Sequence, residues 1–376
     1  MKTGRVFLLV FLGLLSISSV RAAALAQAAE AASGTAGAAA LQAPPAAAVA
    51  AKSAASASES RLLTLDVVVT DKAGQPVAGL QPEDFTLVDN KHPLSVRSIQ
   101  AASGTAAKPD PPVEAILLLD AINSTYATVT NERNWLATYF QQNGGHLALP
   151  TTLVVLTEKG FNVQNHPTRD GKALSAFLDE NRTGLRVVGD MGGSAGNEEH
   201  EETSLKALDF LAQQAAKRPG RKLLLWMSPG WRLYSNRLWY GLGNKGGAKS
   251  LFNYIASLST ALRAARMTVY SIDPLGAAHG QWRYEAYLKG ATTPGESDYA
   301  DLLLPVLATQ TGGQVLAGNN DLASLIGQCT QDANAYYVLT FAQPPAEHAN
   351  EYHEVEVRVG KPGLTARTRT GYYAQP

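Results

Sequence analysis

Residues 113–125 read VEAILLLDAINST, an apolar run that ends on a carboxylate and then on small hydroxylated residues. Ile116, Leu117, Leu118 and Leu119 stand side by side with no polar alternation, the pattern of a strand whose two faces are both covered. Such a strand lies centrally in an α/β sheet. The chain turns at Asp120, and Asn131 to Phe140 then reads as a helix, with Trp135, Leu136, Tyr139 and Phe140 on one side and Glu132 in its first turn. In open α/β sheets the ligand crevice lies beyond the carboxyl ends of the strands, so Asp120, Asn123 and Ser124 occupy the place where function is expected.

Outward from this stretch, the same alternation continues. Thr152 to Thr157 reads as a second strand and Gly171 to Glu180 as a short helix, followed by an irregular, glycine-rich stretch from Gly184 to Glu202. Ser204 to Lys217 reads as a helix with Leu205, Leu208 and Leu211 on one stripe and Thr203 as its N-cap. Lys222 to Met227 is a buried-type strand ended by Ser228-Pro229-Gly230. A helix through Leu251, Tyr254, Ile255, Leu258 and Leu262 leads to the strand Thr268 to Ile272, and a polar insertion from Gly276 to Asp298 follows. A helix through Leu302 to Leu307, a short strand from Gln314 to Ala317 and a helical stripe of Leu322, Leu325, Ile326 and Cys329 complete the unit. Alternating strands and helices over 113–335 predict a doubly wound, mostly parallel sheet with right-handed crossovers.

The flanks differ. Residues 61–102 read as an antiparallel β unit, Ala101 to Pro112 as a linker, and 336–376 as period-two strands without helices. The two β regions are therefore expected to pair into one smaller, sandwich-like β domain into which the α/β unit is inserted.

The chain has 376 residues with 32 Lys plus Arg against 32 Asp plus Glu, so net charge points to neither nucleic acid nor an anionic membrane as partner. Residues 1–26 carry Lys2 and Arg5, an apolar stretch from Val6 to Ile17 and a small-residue end, the layout of a secretory signal. That stretch is too short to span a bilayer. Residues 27–60 read as an Ala-rich disordered spacer. An exported chain is expected, periplasmic, at the cell surface or extracellular, with no membrane span once the signal is removed. Cys329 is the single cysteine, so no intrachain disulfide can form.

Several stretches of this chain, LDVVVTDKAGQPVAGLQPEDFTLVDN, ILLLDAINS, TVYSIDPLG, LATQTGGQVLAGNNDLASLI, ANAYYVLTF and HEVEVRVGKPGLTARTRTGYYA, resemble in content and order the von Willebrand factor A-related proteins of acidobacteria and similar bacteria. The resemblance implies a Rossmann-like A-domain sheet. It also implies a divalent-metal adhesion site built from Asp-x-Ser-x-Ser, a loop Thr and a later Asp, hard oxygen donors suited to Mg²⁺ with one position left for a partner's carboxylate. Here Asp120, Ser124 and Thr203 match that set, whereas Ile122 replaces the middle Ser and Pro229 stands where the later Asp belongs. The site is thus expected to be degenerate, with no cofactor or at most weak Mg²⁺. The other reading of Asp120 is a carboxylate that caps the turn and the next helix.

Two further signals bear on function. Gly192-Gly193-Ser194-Ala195-Gly196 has nucleophile-elbow spacing, the mark of a serine hydrolase, although no buried strand runs directly into it and an acidic run follows. Trp226, Trp231, Tyr234, Trp239 and Tyr240 form an aromatic group that suits either packing or, with Arg232, a binding surface. The expectation is a non-enzymatic protein-interaction or adhesion module that meets a protein partner through Asp120, Asn123, Ser124, Thr203, Trp231 and Arg232, the alternative being a hydrolase using Ser194.

Overall fold

A computed structural model describes residues 62–106, 112–182, 193–231, 245–273, 284–317 and 321–376, with backbone alone for 193–198 and 245. The signal and spacer segments, the stretch 183–192, Arg232 and the aromatic residues from Tyr234 to Tyr240 lie outside the described residues.

β5 (Val113–Asp120) pairs in parallel with β6 (His146–Thr157) on one side and β9 (Arg221–Met227) on the other. β10 (Met267–Asp273) and β11 (Val315–Ala317) extend the sheet beyond β9, and the antiparallel β7 (Gly160–Val163) borders β6, giving the order β11-β10-β9-β5-β6-β7. β8 (Thr168–Asp170) also pairs with β6, completing a seven-stranded, mostly parallel sheet.

Both faces of β5 are buried. Ile116 and Leu118 enter one core with α3 (Gly193–Ala216), α4 (Lys245–Ala264) and α5 (Leu304–Gln310). Ala115, Leu117 and Leu119 enter the other with α1 (Tyr126–Gln141), α2 (Gly171–Glu180) and α6 (Leu322–Gln331). Each Leu or Ile side chain so buried contributes roughly 1.5–3 kcal/mol, which is why this apolar run settles in the centre of the sheet. Cys329 is fully buried on α6, and burial holds its thiol well above the ordinary pKa, as befits a small core residue.

The flanking strands form two four-stranded sheets, β14-β1-β12-β4 and β15-β13-β2-β3. β1 (Leu62–Thr70) pairs antiparallel with β12 (Tyr336–Ala342), and β2 (Phe85–Asp89) with β13 (Glu351–Val359), so strands from both ends of the chain share each sheet. Leu65, Val67, Leu87, Leu339, Phe341 and Val357 are among the residues of the core the two sheets share. On the opposite side of β1, Val68 joins the core of the large sheet.

Several local readings need correction. α1 begins at Tyr126 rather than Asn131, because the Thr125 hydroxyl accepts from the Thr128 amide at 3.2 Å and Thr128 and Val129 are buried, outweighing the weak helix propensity of β-branched residues. Glu132 therefore lies in the second turn. α3 starts at Gly193, so the acidic run before Thr203 is helical and Thr203 is an interior residue, not the N-cap; glutamates are good helix formers. β6 begins at His146, six residues before the expected start, and its register against β8 shifts between His146 and Thr151, where Pro150 cannot donate to the ladder. The stretch Leu364 to Tyr373 is two strands, β14 (Thr365–Arg367) and β15 (Gly371–Ala374), in different sheets. Leu94 to Ile99 likewise divides between β3 (His92–Leu94) and β4 (Val96–Ala102). A chain that changes sheets keeps its period-two pattern, so the division leaves no mark in the sequence.

Candidate functional site

In chain order β5 is the first strand of the parallel sheet, β6 the second and β9 the third, with β6 and β9 on opposite sides of β5. The strand order reverses between β5 and β9, and the carboxyl ends of these two strands frame the crevice of such a sheet. Asp120 stands at that point, 0% exposed.

Its carboxylate is fully engaged. Oδ1 accepts the backbone amides of Ile122 at 3.1 Å and Asn123 at 3.0 Å. Oδ2 accepts Nδ2 of Asn123 and Nε1 of Trp226, each at 2.8 Å. Four donors occupy the four lone-pair positions a carboxylate offers, and charge-assisted bonds of this kind are stronger than neutral ones. Asp120 thus caps its own turn, while the N-cap of α1 is Thr125. Asn123 uses its second Nδ2 hydrogen on the Ser204 hydroxyl at 2.9 Å, tying the loop to α3. The loop Thr of the sequence reading is half-buried next to Ser204, and it is Ser204 that reaches the Asp120 network.

Ser124 Oγ is buried without a hydrogen-bond partner, and Ile122 is buried and apolar. After β9, the Ser228 hydroxyl accepts the Gly230 amide at 2.9 Å, closing the turn that holds Pro229. These donors do not fit a hard cation: both Asp120 oxygens are already committed to N–H groups, Ile122 offers no oxygen, and a metal would have to displace Trp226 and Asn123. Among the described residues no group of three His, Cys, Asp or Glu side chains could hold a metal ion.

Trp231 is 3% exposed and lies edge-on to Trp226, ring centroids 5.4 Å apart. It is a packing residue, since a side chain so enclosed presents almost nothing to a partner. Ser194 is the second residue of α3 by its backbone, and the residues before Gly193 lie outside the described set.

Three features of this region escaped the sequence reading. Trp226 is the donor that fixes Asp120, and its signal was present: a Trp in a fully buried strand needs a partner for its N–H. Glu132 on α1 is 0% exposed and neither of its oxygens has a hydrogen-bond partner. Burial, then the charges of Asp120 and Asp273, holds its carboxyl well above the ordinary range. Finally, Tyr126, the first residue of α1, is 55% exposed and is the one large exposed hydrophobic among the described residues. It follows Asp120 by six residues, at the start of the helix that leaves the carboxyl end of β5.

The fold and the site define a mixed α/β protein with a seven-stranded, mostly parallel sheet joined to antiparallel sheets, with six helices among the described residues. No family model matches the chain, and no curated protein matches it. Among the described residues no helix is long and apolar enough to cross a membrane.

Proposed function

We propose that the chain is an exported, non-enzymatic protein-interaction module of the von Willebrand A type, which meets its partner at the carboxyl edge of the parallel sheet. The observation that carries this reading is Tyr126, an aromatic side chain held out at 55% exposure at the start of α1, six residues after Asp120. Exposed Tyr residues on a rigid element are favoured anchors in protein interfaces, offering large area at low entropic cost. The Asp120 network supplies the rigidity, because it ties the loop that precedes Tyr126 to β9 and α3. In this reading the adhesion site works without a resident metal, and Asp120 is the strut of the binding loop rather than a ligand.

The test is a pull-down from envelope extract with the wild-type chain and with Tyr126→Ser. A defined partner is expected from the wild type, with at least tenfold lower affinity for Tyr126→Ser, the size of an interface anchor. Absence of any enriched partner, or equal recovery with the variant, sinks the reading. Labelling by a serine-reactive fluorophosphonate separates it from the hydrolase alternative: modification at Ser194 would favour catalysis.

A further inference from the structure

At the amino end of β10, the opposite end of the large sheet from Asp120, a small cleft of about 20 Å³ opens to solvent. Its lining includes Asp66, Arg263, Arg266 and Arg369, together with Thr64 and Thr268. Three guanidinium groups therefore face one carboxylate, and that carboxylate is taken: Asp66 is paired through both oxygens with Nε and Nη2 of Arg266. Arg263 and Arg369 are left without an ion-pair partner among the described residues.

Their situation is costly. Arg369 is 7% exposed, and its guanidinium has only a long bond, 3.4 Å, from Nη1 to the Gly371 carbonyl. Arg263, in the last turn of α4, has a buried Nε with no hydrogen-bond partner. Burial, then the neighbouring Arg263 charge, pushes Arg369 down to about 9, and burial also lowers Arg263. Two adjacent uncompensated cations at a protein seam are destabilising unless something of opposite charge enters between them. Packing alone would be served equally well by apolar side chains. Guanidiniums are the side chains best matched to a planar or tetrahedral oxyanion, through paired N–H donors.

We propose that this cleft is a binding site for a small tetrahedral oxyanion, phosphate or sulfate, either free or as the terminal group of a small molecule, held by Arg263 and Arg369. Two excess positive charges match a dianion, and Thr64 and Thr268 bring hydroxyls to the same wall. The elements that meet here are β1, the end of α4, the start of β10 and the segment between β14 and β15, so the anion bridges the small β sheets and the large sheet. The site is independent of the crevice at Asp120 and does not rest on the proposed interaction role.

The experiment is a titration of the full chain with inorganic phosphate, sodium sulfate and glycerol 3-phosphate at constant ionic strength in chloride, read by calorimetry and by thermal unfolding. One saturable site per chain and a rise in melting temperature are expected, and Arg263→Gln should weaken binding tenfold or more. Tighter binding of inorganic phosphate than of glycerol 3-phosphate identifies the free ion, and the reverse identifies a carried phosphoryl group. No saturable binding and no thermal shift with all three probes overturns the proposal, as does unchanged affinity in Arg263→Gln. Should that variant fail to fold, phenylglyoxal modification of the wild type decides: phosphate, and not chloride, is expected to protect Arg263 and Arg369, and equal modification overturns the site.

Discussion

Trp226 on β9 donates its indole N–H to Asp120 at the end of β5, at 2.8 Å, across a separation of 106 residues in the chain. This bond adds a side-chain tie to the β5–β9 ladder, and with the donors from Ile122 and Asn123 it leaves the carboxylate no free lone pair. Asp120→Asn keeps the volume but turns one acceptor into a donor that must face either the Ile122 and Asn123 amides or the side-chain N–H groups of Asn123 and Trp226. A loss of about 1.5–3 kcal/mol is expected, the range for a hydrogen bond to a charged group. Equilibrium urea unfolding measures it, and a loss below about 0.5 kcal/mol would contradict the network.

Metal dependence should be slight. A ligand of the folded state stabilises by RT ln(1 + [L]/Kd), so a site with Kd near the millimolar range adds less than about 1 kcal/mol at about 1 mM Mg²⁺. The melting temperature is expected to be nearly equal in excess Mg²⁺ and in a chelator. A clear rise with Mg²⁺ that disappears in Asp120→Ala would show that the carboxylate exchanges its N–H partners for a cation.

Glu132 sets a pH dependence whose sign follows from its burial. In the unfolded chain the carboxyl ionises near its ordinary 4.5, whereas in the folded chain its pKa lies well above that. Between the two values the folded state holds the extra proton, so stability is full below the unfolded pKa and declines as pH rises toward the folded one. Glu132→Met removes this decline and fills the site with an apolar side chain of similar length. Relative to wild type it should gain about 1–3 kcal/mol at neutral pH and progressively less toward pH 4. Asp301, raised by burial to about 7, acts in the same direction in both proteins and cancels in the comparison. A difference independent of pH would refute the assignment.

β12 lies between β1 and β4 and carries Leu339 and Phe341 into the core shared by the two small sheets. A chain ending at Ala335 also lacks β13 and β14, so it exposes both edges of β1, one edge each of β2 and β4, and an apolar face, and is expected to aggregate. Light scattering after size exclusion checks this. A soluble, folded monomer would mean that the N-terminal strands are stable alone.

Local pattern was enough to recognise the alternating strands and helices of the large sheet, because continuous apolar runs such as Ile116 to Leu119 or Leu223 to Met227 state their own burial. The helical stripes of α4 and α6 are legible for the same reason: spacing of three and four residues is a property of the chain itself. Asp120 stood out as the residue where the central strand stops.

Tertiary structure decided what local pattern does not encode. Whether a period-two stretch continues in one sheet or changes to another, as at Leu94 to Ile99 and Leu364 to Tyr373, depends on which partner strands are present, not on its own alternation. The state of Asp120 depends on Trp226, and Trp231 is buried in the core cluster that also holds Trp226. Thr203 is a helix interior because the helix begins ten residues earlier, at Gly193. The arginine cleft gathers residues from Thr64 to Arg369, and no window of sequence contains both; long-range contacts place charges, while short-range pattern places only elements.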